Sequence, residues 1–176
     1  MKALYIESFG DENVLKYGDL PAPSYLPNSA LVKISYCALN HLDLWVRKGL
    51  PGYEISFPHI LGSDISGEVV ESDERSLYGK KVILYPAIGW CKSCEFCLRG
   101  EVSLCKNYSI LGFQFQGGYA EYIRVPVENL FLLPEHLSLE EGACIPLTLT
   151  TVSRMLFSQV NIKPYHSVLV MGGGSG

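Results

Sequence analysis

The sequence predicts a mainly β fold with some α-helix, an α+β chain whose β domain precedes a helical segment. Three observations predict it. Residues 1–7, 30–38, 65–71, 80–86, 117–125 and 129–133 are rich in Val, Ile, Leu and Tyr, and Gly, Pro and Asn punctuate them. After Pro134 the pattern turns helical. Four of the six cysteines fall between residues 91 and 105, which marks a metal-bound lobe within the β part.

The elements follow in order. Pro21-Ala22-Pro23 and Pro27-Asn28 make a loop between two strands. Residues 41–48 fit one short helix, with Asn40 placed to cap it. The strands to residue 133 make an antiparallel β domain, barrel-like or sandwich-like, over residues 1–134. Beyond it, Ser138-Leu139-Glu140-Glu141 has the S-x-x-E form of a capping box. Leu149, Val152, Leu156 and Val160 give residues 147–160 near-helical spacing. Pro164 separates this helix from Ser167-Val168-Leu169-Val170-Met171, a short apolar run of the buried-strand type, which leads into Gly172 to Gly176. Residues 135–176 are thus a second unit.

Composition excludes several classes of function. The chain has 176 residues, is 48% hydrophobic and 18% charged, and carries a net charge of −4, the profile of a globular protein with one sizeable core. No basic patch points to nucleic acid. Its apolar runs fall far short of the ~18 residues of a membrane span. At the N-terminus, Glu7 interrupts the apolar stretch before a signal-peptide core can form. The expected location is the cytoplasm, where clustered cysteines read as metal ligands before disulfides.

The cysteines follow the pattern Cys91-x2-Cys94-x2-Cys97-x7-Cys105. The first three, each three residues from the next, aim their sulfurs at a common point, and the fourth returns to close a tetrahedron. Four thiolates suit zinc and leave no open position, so the expected metal is structural. Lys92, Arg99 and Lys106 offset part of the negative charge of such a site. An iron–sulfur cluster is the rival reading, since C-x2-C-x2-C also opens a ferredoxin motif. That motif continues C-x3-C-P, whereas here seven residues intervene and Lys106 follows.

A strand running into glycines is how a dinucleotide-binding βαβ unit opens, its backbone approaching a pyrophosphate. A glycine-rich end also fits a flexible tail or tag.

Taken together, these residues resemble the medium-chain dehydrogenase/reductase superfamily, which includes zinc alcohol dehydrogenases and quinone oxidoreductases. The four-cysteine lobe is similar to that family's structural zinc loop. Gly117-Gly118-Tyr119-Ala120-Glu121-Tyr122 resembles its GGxAEY strand, and Phe57-Pro58-His59-Ile60-Leu61-Gly62 the segment entering its GHE motif. Ala143-Cys144-Ile145-Pro146-Leu147-Thr148 resembles the start of its domain-connecting helix. The resemblance implies a GroES-like β-barrel catalytic domain followed by the truncated start of a Rossmann domain. A complete sheet needs about 150 further residues. It also implies NAD(P)H as cofactor, with Thr148, Gly172, Gly174 and Gly176 as its candidate contacts, and a homodimer or homotetramer.

The departures from the family pattern are informative. Aligned on Asp43 and Gly62, the catalytic-zinc ligand positions hold Asn40, Ser63 and, near the third, Leu147. Asp64 replaces the Glu of GHE, and Leu42 replaces the proton-relay hydroxyl. Asn, Ser and Leu cannot hold a catalytic zinc of the usual kind. Cys37, His41, His59 and Asp64 are metal-capable types, but Cys37 reads as a core residue and His59 as packing or facing solvent. Asn40-His41-Leu42-Asp43 fits the Asn-x-x-Asp segment of the metal-free quinone oxidoreductases.

The expected function is therefore hydride transfer between NAD(P)H and a small carbonyl, enone or quinone-like substrate. Asn40 would polarise the substrate oxygen, with His41 and Asp43 in support and Leu42, Trp45, Leu50 and Tyr53 as apolar walls. Each has a plainer role: Asn40 as helix cap, His41 as a surface residue, Asp43 as the ion-pair partner of Arg47. The chain by itself is expected to be inactive. The alternatives are an alcohol dehydrogenase with an unorthodox catalytic zinc and a noncatalytic zinc-stabilised module.

Overall fold

The computed structural model describes residues 1–173. It is sheet-dominated with short helices, the fold class expected from the sequence. Among the described residues, ten strands form three antiparallel sheets: β1 (Lys2–Ile6), β2 (Leu15–Asp19), β3 (Ser29–Ala38), β4 (His59–Ile60), β5 (Asp64–Ser72), β6 (Lys81–Leu84), β7 (Ala87–Ile88), β8 (Ser109–Ile110), β9 (Tyr122–Pro126) and β10 (Leu130–Leu132). The largest sheet has the order β10-β6-β5-β3-β9, so β10 and β9 are its edges. A second runs β2-β1-β4, and β7 pairs with β8. A bridge between Ala3 and Ala120 ties the second sheet to the segment before β9.

Period-two patterning fixes which faces are buried. Ala30 and Val32 of β3, Val82 and Leu84 of β6, and Ile123 and Val125 of β9 point to one core, which Ile65, Val69, Ile88 and Leu111 complete. A second cluster joins Ile6 of β1 to Val46, Leu61 and Phe113. Val46 belongs to α1 (His41–Lys48), and Leu42 of that helix and Leu50 just beyond it pack against the same cluster.

Three further helices are short. α2 (Glu95–Leu98) lies in the cysteine lobe. α3 (Leu139–Gly142) opens with the expected capping box, Ser138 and Glu141 exchanging hydrogen bonds, and Ser66 Oγ donates to Leu139 O at 2.5 Å. α4 (Pro146–Ser153) starts at a proline, which suits a first turn because no N–H is needed there. It continues as a π-helical stretch over Arg154–Gln159.

The structure corrects several expectations. β2 falls in a stretch that carried no strand assignment, and β4, β7 and β8 are two-residue pairings too short for a periodic signal. The run expected over 117–125 becomes a strand only from Tyr122. Residues 167–171 are not a strand: they pair with no neighbour among the described residues, and Leu169, Val170 and Met171 are exposed. An extended segment gains nothing from its apolar side chains without a sheet to lie on and a ladder to join. Among the described residues, no helix is long and apolar enough to cross a membrane.

A four-cysteine centre and a candidate reaction site

The lobe over residues 91–105 is a chain of tight turns. Lys92 takes a left-handed φ of 59°, α2 follows, Gly100 has φ +77°, and a single 3-10 turn over Val102–Leu104 delivers Cys105. These turns bring the ligand atoms of Cys91, Cys94, Cys97 and Cys105 within 4.8 Å of one another. Cys91 Sγ and Cys97 Sγ are 3.9 Å apart. A tetrahedral zinc bonded to sulfur at about 2.3 Å spaces its ligands about 3.8 Å apart, so the set fits that ion.

Backbone amides prepare the sulfurs for negative charge. Cys94 N donates to Cys91 Sγ at 3.3 Å, and Cys91 N and Asn107 N each donate to Cys105 Sγ at 3.4 Å. The N–H groups of Ser93 and Cys94 pull the Cys91 thiol down to about 5. Burial and the adjacent thiols push Cys97 up to about 12. Four sulfurs this close cannot all ionise without a cation among them, and a divalent metal would supply it. Two of the cations expected to offset that charge are otherwise engaged: Lys92 pairs with Glu128 at 2.7 Å, and Arg99 with Glu101 at 3.2 Å. The backbone amides remain on the sulfurs, and a bound metal would supply the larger part of the neutralisation.

The second site lies where α1, β5, α4 and the loop before β9 meet. Asn40 and Asp43 form a capping box at the start of α1. The Asn40 side chain faces the N–H of Asp43 without bonding to it: that N–H donates to Asn40 O at 3.0 Å, and Asp43 Oδ2 accepts from Asn40 N at 2.8 Å. Asn40 Nδ2 donates to Asp64 Oδ2 at 2.9 Å. Asp64 Oδ1 accepts from Leu147 N at 2.5 Å. The first and third aligned positions, Asn40 and Leu147, thus share one carboxylate. Ser63, at the second, is buried and donates to Leu111 O at 2.7 Å.

Asp43 is buried and fully engaged, accepting also from Tyr119 Oη at 2.7 Å and Gly62 N at 3.1 Å. It makes no ion pair with Arg47 among the described residues, so that plainer expectation is corrected. Arg47 is buried, and its Nε has no partner. Gly62 makes the close approach possible. Its φ is +98°, and a Cβ there would lie 2.7 Å from Cys37 Sγ and 2.8 Å from Tyr119 Cδ1.

Burial sets the electrostatics. It raises Asp64 above the usual carboxylate range, against the downward pull of the Asn40 amide and the Leu147 N–H. It pushes the Cys37 thiol up, aided by the nearby Asp43 and Asp64 carboxylates, so Cys37 stays neutral and packs. Tyr119 is pushed up by burial and by its hydrogen bond to Asp43. His59 is 1% exposed, which removes the solvent-facing alternative. A carbonyl only accepts, so His59 holds its proton on Nε2, 3.2 Å from Gly112 O.

The other candidates are more dispersed. His41 is exposed, edge-on to Trp45 with ring centroids 4.9 Å apart. Leu42 and Leu50 pack on the core rather than stand free as walls, and Tyr53 sits against Phe113 at 5.0 Å. Thr148 Oγ1 donates to Cys144 O at 2.9 Å, bonding back into its own helix. Gly172 has φ +72°, while Gly174 and Gly176 lie outside the described residues. Sequence reasoning missed the parts played by Tyr119, Gly62 and Asp64. Tyr119 lay in a quoted motif, but nothing local pointed it at Asp43.

Among the described residues, the four cysteines are the one group of three or more His, Cys, Asp or Glu side chains whose ligand atoms converge.

Comparison with known proteins agrees with this geometry. The alcohol dehydrogenase GroES-like domain family matches residues 26–135. An NAD-dependent alcohol dehydrogenase of Sulfolobus acidocaldarius is 34% identical over 184 residues, covering 100% of this chain and 52% of that protein. A crystal structure of an NAD-dependent alcohol dehydrogenase superposes with a TM-score of 0.87 at 40% identity, covering 94% of this chain and 49% of that one. A cobalt- and zinc-bound thermostable alcohol dehydrogenase from Pyrobaculum aerophilum gives a TM-score of 0.80 at 30% identity, covering 91% of this chain and 49% of that one. The chain spans about half the length of these relatives. It belongs to the alcohol dehydrogenase GroES-like domain family, within the medium-chain dehydrogenase/reductase superfamily.

Proposed function

We propose that this chain is the catalytic domain of an NAD(P)H-dependent oxidoreductase that reduces a small carbonyl, enone or quinone-like substrate without a catalytic zinc. The observation that carries the reading is the Asn40 side chain. One N–H of its amide goes to Asp64 at 2.9 Å, and the second has no partner among the described residues. That free donor suits a substrate oxygen that gains negative charge as hydride arrives at carbon. A bound nicotinamide supplies the hydride. Asp43 holds the Asn40 backbone through its carboxylate, and exposed His41 is the candidate for delivering the proton that completes the alcohol or enol.

Thr148, Gly172, Gly174 and Gly176 are the proposed cofactor contacts. The dinucleotide-binding half is proposed to correspond to the part of the relatives' length that this chain does not span. The four thiolates hold a structural zinc, which suits a reducing cytoplasm. A homodimer or homotetramer is the assembly proposed from the family resemblance.

The test is NAD(P)H oxidation with crotonaldehyde, cyclohexenone and a benzoquinone, using this chain joined to its dinucleotide-binding half. Turnover that drops about a hundredfold in Asn40→Ala supports the reading. Unchanged turnover in that variant removes Asn40 from the reaction.

A further inference from the structure

Asp64 has a part that the proposed reaction does not yet use. Its carboxylate is 1% exposed, and both oxygens are committed: Oδ2 to Asn40 Nδ2 at 2.9 Å and Oδ1 to Leu147 N at 2.5 Å. An ionised carboxylate only accepts. An amide beside it must therefore turn its nitrogen, never its oxygen, toward it. The N–H of Asp43 donates to the Asn40 backbone carbonyl at 3.0 Å, so Asp64 is the hydrogen-bond partner of the amide. Asp64 therefore sets the orientation of the Asn40 amide, with the second N–H as its unspent group. Leu147 is the second residue of α4, so the same carboxylate fixes the start of that helix to the start of α1.

We infer that Asp64 is a positioning residue: it locks the Asn40 amide as a hydrogen-bond donor and ties that donor to the N-terminus of α4. The kinetic part of this inference rests on the proposed hydride transfer; the orientation of the amide does not. Asn at position 64 keeps the shape but brings a donor of its own. It can accept from Leu147 N or from Asn40 Nδ2 through its one oxygen, and its NH2 then invites the Asn40 amide to flip. A flipped Asn40 offers an acceptor where a donor is needed.

Two measurements test this. The first uses the zinc-loaded 176-residue chain and needs no activity. In 15N–1H spectra the two side-chain amide protons of Asn40 should be widely split, the carboxylate-bonded one downfield, and the splitting should collapse as pH falls and Asp64 protonates. Degenerate amide protons at neutral pH, or a splitting that ignores pH, would overturn the assignment. The second is a double-mutant cycle on hydride transfer in the chain joined to its dinucleotide-binding half. Asp64→Asn should slow turnover about ten- to hundredfold. Asn40→Ala and the Asn40→Ala/Asp64→Asn pair should be equally slow, because Asp64 acts through Asn40. Losses that multiply, or native turnover in Asp64→Asn, contradict the role. Where Asp64→Asn does not fold, Asp64→Glu keeps an acceptor-only group while displacing it and should give the same non-additivity. If Asn40→Ala itself turns over normally, the reaction assignment fails, and the spectral result still decides the orientation.

Discussion

Tyr119 donates its phenolic hydroxyl to Asp43 Oδ2 at 2.7 Å across 76 residues of sequence. This bond closes the shell around a buried carboxylate that also accepts from Asn40 N and Gly62 N. Tyr119→Phe leaves the ring in place and removes one of three donors. The expected cost is about 1–3 kcal/mol, the penalty of under-satisfying a buried charged acceptor. Urea unfolding of the zinc-loaded chain measures it as a lower midpoint at unchanged slope.

Gly62→Ala attacks the same junction from the backbone. The new Cβ meets Cys37 Sγ and Tyr119 Cδ1 at 2.7 and 2.8 Å in a left-handed conformation. Strain and displacement of Tyr119 act together, so a loss of about 2 kcal/mol or more is expected. Combining this change with Tyr119→Phe should give less than the sum of the two, because both act on the Tyr119–Asp43 contact.

Burial lowers the pKa of His59 from its ordinary 6.5, while its bond to Gly112 O acts in the opposite direction. The folded state therefore holds this imidazole neutral at pH values where the unfolded chain protonates it. The stability from this group is fully present above 6.5 and is lost as pH falls from there through the lower folded value. Thermal unfolding scanned between pH 8 and pH 5 should show that loss, and His59→Gln should flatten it.

Metal removal should act locally. Residues 91–105 hold little buried apolar surface of their own, Cys105 being the exception, and the main core lies among β3, β5, β6 and β9. Chelation should abolish amide-exchange protection around Cys91, Cys94 and Cys105 and leave β3 and β5 protected. Simultaneous loss in both regions would show that the lobe supports the whole fold.

The sequence announced whatever rests on local pattern. The four cysteines carry their spacing, residues 41–48 carry helical signals, and Ser138 and Glu141 are a capping box three residues apart. β2 escaped notice because Leu15–Asp19 is an edge strand with an internal glycine and mostly exposed side chains. The run Ser167 to Met171 misled in the opposite direction: it is apolar enough for a buried strand, but a strand exists only where another pairs with it. Within the site, Asn40 and Asp43 were legible as neighbours in one segment. The bonds from Asn40 to Asp64, from Tyr119 to Asp43 and from Ser63 to Leu111 join residues 24, 76 and 48 positions apart, and no periodicity encodes them.

The most direct measurement is metal stoichiometry, read with cobalt as a reporter. One metal per chain is predicted, with intense sulfur-to-cobalt charge-transfer bands, a four-coordinate visible spectrum, and loss of both in Cys97→Ser. A chain that binds no metal, or a second equivalent that survives Cys97→Ser and disappears in Asp64→Asn, would contradict the account.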